Sequence, residues 1–334
     1  MRWRRGVLAT GFVGLIILCS MPALAQSEKD PTIKPMMQSL QEQQLLKELR
    51  KVEGRVTIPD SKAGILEQPQ GREYQTFHER ILPWLGAIVI VGMLVALALF
   101  YLVHGPIRLE RPPIGIRIRR FTPLERLTHW LTATSFIVLA ITGLNYVFGK
   151  RLLMPLVGPE AFSTWSLWAK YLHNSFAWSF MLGLLLMAVL WLRDNVPDRY
   201  DLEWLKQFGG FLSNRHPPAR RFNAGQKLIF WSVVLGGLAL TASGIVLLFP
   251  HVADIGGIQI AQYVHAVSGA VMTAIMLAHI YIGTVGMVGA LDAMVSGEVD
   301  LEWAKEHHPV WVEEEQARMP EGQQSRKGTI LAEY

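Results

Sequence analysis

Five long apolar stretches, separated by polar segments, dominate the pattern of the chain. They cover residues 84–103, 128–148, 171–192, 228–249 and 260–288. A helix of about 20 apolar residues is long enough to cross the hydrocarbon core of a bilayer. The pattern therefore predicts an all-α integral membrane protein with five spans.

A leader and a polar stretch precede the first span. The leader carries three arginines within its first five residues, an apolar run and the small-residue motif Ala23-Leu24-Ala25. This pattern is typical of a cleaved secretory signal, and a retained anchor helix is the alternative. Cleavage would remove Cys19, the only cysteine. The mature chain would then have no disulfide, no cysteine-ligated iron–sulfur cluster and no haem attached through CxxCH.

Composition and loop charge support this topology. The chain is 51% hydrophobic and 18% charged, which is too apolar for an ordinary soluble domain. Lysines and arginines cluster in the loops after the first and third spans, whereas residues 250–259 carry none. Loops rich in lysine and arginine stay in the cytoplasm. We therefore expect a multi-pass protein of the bacterial inner (plasma) membrane. Its mature N-terminus is periplasmic, its C-terminus is cytoplasmic, and it binds no nucleic acid.

These features divide the chain into six predicted segments. They are a signal peptide (1–25), an extracytoplasmic polar segment (26–82), an additional transmembrane helix (83–104), a basic cytoplasmic linker (105–127), a four-helix domain (128–290) and a charged cytoplasmic tail (291–334).

Four histidines lie near the ends of three spans. His265 and His279 are 14 residues apart in the last span, which is about four helical turns and about 21 Å of rise. Both side chains therefore leave the same helix face. The loop charges place His173 at the outer level with His265, and His129 at the inner level with His279. An imidazole in hydrocarbon is costly and marks a functional site.

Paired imidazoles at two levels predict two stacked haem groups for electron transfer, because neutral imidazole is a common axial ligand of haem iron. For any one histidine, a hydrogen bond to a backbone carbonyl or a place in a polar cavity is the alternative. Gly143 and Gly269 would let a flat macrocycle approach the helix. Ordinary helix packing in lipid, which favours small residues, explains them equally well.

The stretch from FTPLERLTHW to AKEHHPVW resembles the membrane cytochrome b (gamma) subunit of respiratory formate dehydrogenase. The pieces that carry the resemblance are RLTHW, YLHNSF, RFNAGQKLIFW, HAVSG with AHIYIG, and DLEWAKEHHPVW. It covers about the last two-thirds of the chain and implies a four-helix dihaem cytochrome b bundle plus one additional N-terminal transmembrane helix. It further implies two haem b groups. His173 and His265 would hold the outer iron, and His129 and His279 the inner iron.

The motif Asn223-Ala224-Gly225-Gln226 enters the fourth span at the inner surface. Chemistry alone favours Asn223 as a helix cap through its side chain. The resemblance implies instead that Asn223, Gly225 and Gln226 bind a quinone, either menaquinone or ubiquinone, beside the inner haem.

The resemblance also implies a partner complex. The chain would carry electrons from an outer iron–sulfur beta subunit across the membrane to quinone. Through that subunit it would join a molybdenum- or tungsten-containing catalytic alpha subunit. The chain itself shows no pterin or iron–sulfur motif, so we do not expect it to oxidise formate. A hydrogenase or thiosulfate-type reductase cytochrome is an alternative. A haem-free membrane anchor or transporter is an alternative of another class, although the inverted repeats usual in transporters are not evident in the sequence.

Overall fold

The structure, a computed structural model, describes residues 71–210 and 217–318. The predicted signal peptide and most of the polar segment 26–82 lie outside these ranges. Five long apolar helices form the body of the molecule: α1 (Leu82–His104), α2 (Pro123–Leu152), α3 (Pro159–Trp191), α4 (Ala224–Leu248) and α5 (Ile255–Tyr281). The prediction of an all-α bundle with five spans is confirmed.

Short elements connect and extend these helices. Before α1 lie a helix over Gly71–Thr76 and a π-helical turn over Phe77–Ile81. The connections hold the short helices Met154–Val157, Arg199–Lys206 and Asp292–Val295, the 3-10 turns Arg193–Asn195, Phe208–Gly210 and Pro250–Val252, and the π-helical turn Ile282–Gly286. Strand β1 (Arg117–Arg119) pairs antiparallel with β2 (Glu298–Asp300), and the helices α6 (Leu301–His307) and α7 (Pro309–Ala317) follow.

All five long helices begin earlier than the apolar pattern suggests, and the largest difference is in α3, which begins at Pro159 and not at residue 171. Helical structure runs back from α1 to Gly71, into the segment predicted to be an extracytoplasmic polar stretch. Helix α2 begins at Pro123 because Thr122 and Glu125 form a capping box, each side chain bonding the backbone N–H of the other. Many of the first residues of these two segments are polar, so they lie outside the apolar pattern although they are helical.

Helix α3 packs closely along α2, and small residues permit this approach. At Gly183 of α3, an added Cβ would lie 3.2 Å from the Cα of Thr132. Backbone cannot move aside as a flexible side chain can, so the contact requires glycine. Such small-residue contacts are the usual means of helix association in lipid.

The additional helix α1 packs along α5. Tyr281 makes edge contacts with Phe100 and Tyr101, while Tyr263 contacts Phe77 in the turn that leads into α1. Tyr263 and Tyr281 each lie two residues from a span histidine, which is about 200° around a helix. Helix α1 therefore covers the face of α5 that points away from the histidines.

The segment predicted as a tail is folded back onto the basic linker over residues 298–317. Arg120, only 4% exposed, lies in an aromatic cage with ring centroids of Phe121, Trp303 and Trp311 at 5.1 to 5.8 Å from its guanidinium carbon. Cation–π contacts of this kind stabilise a buried cation. Burial and the neighbouring Arg221 lower the pKa of Arg120 to about 9.

His308, between α6 and α7, also contributes to the contact between the folded-back segment and the rest of the chain, and it is fully buried. Its Nδ1 lies 2.7 Å from the carbonyl oxygen of Arg220, to which it donates, while its Nε2 is buried and has no hydrogen-bond partner among the described residues. Burial and the nearby Arg120 cation hold the pKa of His308 well below its ordinary value of 6.5.

We predict that Gly183→Ala lowers the stability of the bundle by about 1–3 kcal/mol, because overpacking at fixed backbone forces α2 and α3 apart. Thermal unfolding in detergent would measure the change. Gly92→Ala is the matched control, since a Cβ at Gly92 of α1 meets nothing within 4 Å. Equal stability of the two variants would contradict the close contact.

We predict that docking of α6 and α7 weakens as the pH falls below 6.5. Below this pH His308 is protonated in the detached segment but stays neutral in the docked one. The docking free energy is therefore at its full value above this pH and declines below it. Hydrogen exchange of the α6 and α7 amides, corrected for its intrinsic pH dependence, would report the loss. His308→Asn keeps a donor for the Arg220 carbonyl and does not titrate, so it should flatten the profile. An unchanged profile in this variant would assign the effect to another group.

Candidate functional site

The structure brings the four span histidines together in two pairs. His173 of α3 faces His265 of α5 with ring centroids 6.1 Å apart, and His129 of α2 faces His279 of α5 at 6.2 Å. The ring planes meet at 64° and 63°. We call them the outer pair and the inner pair, after the sides of the membrane predicted from the loop charges. Each pair joins α5 to a different helix.

A hydroxyl group supports each ring of the outer pair. His173 Nδ1 lies 2.8 Å from Thr142 Oγ1 of α2, and His265 Nδ1 lies 3.0 Å from Ser243 Oγ of α4. Each hydroxyl donates to a carbonyl one turn earlier in its own helix, at 2.7 and 2.6 Å. Since the hydroxyl proton is engaged there, the oxygen accepts from Nδ1–H. This tautomer leaves the lone pair on Nε2 of each ring.

A glycine follows each of these hydroxyl residues and faces the same ring. A Cβ on Gly143 would lie 3.5 Å from His173 Cε1, and one on Gly244 would lie 3.3 Å from His265 Cε1. Sequence reasoning considered Gly143 and Gly269 as surfaces for a macrocycle. The structure places Gly143 against an imidazole, whereas a Cβ at Gly269 would meet only a methyl carbon of Leu240, at 4.0 Å.

Sequence reasoning missed Thr142, Ser243 and Gly244. A weak signal for them exists in hindsight: a hydroxyl–glycine pair occurs in three apolar spans, as ITGL, ASGI and VSGA, and the first two are the pairs that face a histidine. Neither pair is unusual alone, because small residues and back-bonded hydroxyls are common in membrane helices. The contact with an imidazole of another helix is what distinguishes them.

The inner pair lacks this support. His129 Nδ1 is buried and has no hydrogen-bond partner in the described part of the chain. No hydroxyl among the described residues bonds to either ring of this pair.

The motif at the start of α4 forms the cap that chemistry alone favoured. Asn223 Oδ1 accepts from the Gln226 N–H at 2.9 Å, and Gln226 Oε1 accepts from the Asn223 N–H at 3.1 Å. Arg120 also donates to Gln226 Oε1, at 3.3 Å. The cap uses the side-chain oxygens and not the NH₂ groups. Gly225 lies under the Trp204 ring, where a Cβ would come within 2.7 Å of it.

Asn223 also lines a small cleft at this end of the bundle. The cleft brings together Trp204, Met287 and two titratable residues of α6, Glu306 and His307. Glu306 Oε2 accepts from the backbone N–H of Glu110 at 3.1 Å. The cleft thus has an amide donor, an apolar wall and acid–base groups.

Ion pairs hold the start of α4 in place. Arg221 donates to Glu125 of α2 and to Asp194 beyond α3, both at 2.6 Å. Lys227, in the first turn of α4, lies 2.9 Å from Asp201. Lys227 is only 4% exposed, so its pair is well shielded from water. Three segments are thereby tied together around the capped helix start.

Comparison with known proteins gives this arrangement a family. The sequence profile described as prokaryotic cytochrome b561 matches residues 120–297, which include all four span histidines. The chain belongs to the prokaryotic cytochrome b561 family.

Curated relatives agree with this cytochrome b561 assignment. The cytochrome b556 subunit of the nitrate-inducible formate dehydrogenase of Escherichia coli K12 is 29% identical over 197 residues, 57% of this chain and 88% of its own length. A second Escherichia coli K12 formate dehydrogenase cytochrome b556 subunit is 30% identical over 202 residues, 59% and 92%. The formate dehydrogenase cytochrome b556 subunit of Haemophilus influenzae is 29% identical over 205 residues, 59% and 83%. The resemblance read from the sequence motifs is confirmed.

Membership of the cytochrome b561 family makes this chain a multi-pass membrane protein and implies haem b. The histidine pairs fit such a group. Imidazole nitrogens bind metal ions at about 2 Å, so two rings that share one ion have centroids about 6 Å apart. Both pairs have this spacing. At the outer pair the proton on Nδ1 also leaves Nε2 ready to bind a metal.

Proposed function

We propose that this cytochrome b is the membrane subunit of a respiratory formate dehydrogenase, and that it passes electrons from an outer iron–sulfur subunit to a quinone at the inner surface. The names of its relatives support the donor. The proposal rests on the two histidine pairs at two levels of one bundle, because a protein that moves electrons across a membrane needs more than one electron carrier along the path.

The proposed ligands are His173 and His265 at the outer level, and His129 and His279 at the inner level. When bound, two haem b groups would supply one-electron carriers at these levels. The two imidazoles of each pair would hold one iron, and ligation by two imidazoles favours electron transfer over oxygen chemistry. Because every pair bridges two helices, the bundle sets both positions.

The proposed topology follows the loop charges. After removal of residues 1–25, the segment 26–82 would be periplasmic and the linker 105–127 cytoplasmic, with residues 291–334 on the same side. Residues 128–290 would form the four-helix domain, and 83–104 the additional span of the bacterial inner membrane. The folded contact between the linker and α6 supports a common side for these two segments.

The proposed quinone, menaquinone or ubiquinone, binds at Asn223, Gly225 and Gln226 beside the cleft. The cap leaves the Asn223 NH₂ group to donate to a quinone carbonyl. Glu306 and His307 supply titratable groups on the cytoplasmic side, where protons enter. Formate oxidation would belong to a molybdenum- or tungsten-containing alpha subunit, reached through the iron–sulfur beta subunit.

We predict that His279→Ala removes the inner haem and quinone reduction but spares the outer haem, and that His173→Ala does the converse for the haems. Haem content and the b-type α-band of the purified complex would measure this. Wild-type complex without haem, or variants that keep both groups, would refute the ligand assignment. Haem reduction by hydrogen but not by formate would reassign the donor, and oxidation of the reduced haem by thiosulfate would indicate a thiosulfate-type reductase instead.

We predict that Asn223→Asp lowers quinone reduction at least tenfold while the fold is retained. Aspartate caps a helix as well as asparagine does, but it offers a carboxylate where the quinone carbonyl needs a donor. Electron transfer from formate to a quinone analogue, set against haem reduction by formate, would measure the loss. Asn223→Ser also caps but keeps a hydroxyl proton that can donate, so it should be impaired less than Asn223→Asp. Full activity in both variants would leave Asn223 with its capping role alone.

A further inference from the structure

The two levels differ in what meets the Nδ1 nitrogen of each histidine. At the outer pair, Thr142 and Ser243 place a hydroxyl oxygen 2.8 and 3.0 Å from the ring nitrogens of His173 and His265. At the inner pair, His129 Nδ1 is buried with no hydrogen-bond partner among the described residues. The difference arises within one bundle and one chain.

The hydroxyls of Thr142 and Ser243 can only accept a hydrogen bond from the histidine rings. Each one donates its proton to a carbonyl in its own helix, Thr142 to Val138 at 2.7 Å and Ser243 to Ala239 at 2.6 Å. Backbone carbonyls of Leu139 and Leu240 also approach the two rings. The same geometry occurs twice, on α2 and on α4, and each time the next residue is a glycine that faces the ring.

An acceptor at Nδ1–H fixes the ring orientation and makes the imidazole a more basic ligand. A more basic axial ligand stabilises oxidised iron and so lowers its reduction potential. We infer that Thr142 and Ser243 are positioning residues that give the outer level a lower midpoint potential than the inner level. This inference rests on the proposed ligand assignment.

The difference in midpoint potential between the two levels sets the direction of electron transfer. One electron moves spontaneously from a centre of lower potential to one of higher potential, with no bond made or broken. An outer level of lower potential therefore favours transfer of an electron inward. The iron–sulfur donor and quinone acceptor of the proposed function supply and remove that electron. Two hydroxyls would thus make the path downhill without any change in ligand type.

The test is a redox titration of the assembled complex, followed in the b-type α-band, for Thr142→Val, Ser243→Ala and the double variant. The outer component is identified as the one missing from the His173→Ala complex. We expect haem content to stay unchanged, the outer midpoint potential to rise in each single variant and further in the double variant, and the inner potential to stay constant. Thr142→Ser, which restores the hydroxyl, should return the potential towards the wild-type value.

Thr134→Val is the matched control. Thr134 lies on the same helix and makes the same back-bond, to the Trp130 carbonyl at 2.7 Å, but within the described residues its hydroxyl bonds no histidine. Its removal should move neither potential.

Several outcomes would overturn the inference. Unchanged outer potentials with haem retained would show that the hydroxyls do not tune the iron. An equal rise in Thr134→Val would indicate a general effect of helix polarity, and a wild-type inner potential below the outer one would reverse the assignment. Should Thr142→Val lose haem, an unshifted outer potential in Ser243→Ala, with haem retained, would also overturn it. Absence of haem from the wild-type complex would instead refute the proposed function itself.

Discussion

One constraint underlies the rest of the structure: imidazole rings that face each other inside an apolar bundle need partners for their ring nitrogens. A neutral imidazole has one donor and one acceptor nitrogen, and hydrocarbon satisfies neither. The outer pair satisfies its donors with hydroxyls whose own protons are engaged on helix carbonyls. Each outer ring keeps one acceptor nitrogen, and the distance of 6.1 Å between the ring centroids fits one shared metal ion. Gly143 and Gly244 leave room beside the two outer rings for this arrangement.

The additional helix is compatible with this demand because it stays away from the histidines. Its aromatic contacts fall on Tyr263 and Tyr281, on the opposite face of α5. The family profile begins at residue 120, after α1 has ended. Helix α1 therefore adds a layer to a four-helix core without entering it, and it shields the back of the helix that contributes a histidine to both pairs.

At the start of α4, the two interpretations of Asn223 use different atoms. The helix cap occupies Oδ1, and a quinone carbonyl would need the NH₂ group of the same side chain. The two roles do not compete. The capped start of α4 would support the proposed donor: ion pairs to Glu125 and Asp201 hold it in place, and the segment that carries Glu306 lies beside it.

The sequence alone determined the five spans and the level at which each histidine lies. Hydropathy and loop charge act on each segment separately against a bilayer of nearly constant thickness, so a local pattern is enough to read them. Only the tertiary structure decided that Thr142 meets a ring 31 residues away and that His308 of the predicted tail is buried beside the linker. These contacts depend on the rotation and spacing of helices relative to one another. Those quantities come from the packing of many side chains at once, and no single segment encodes them.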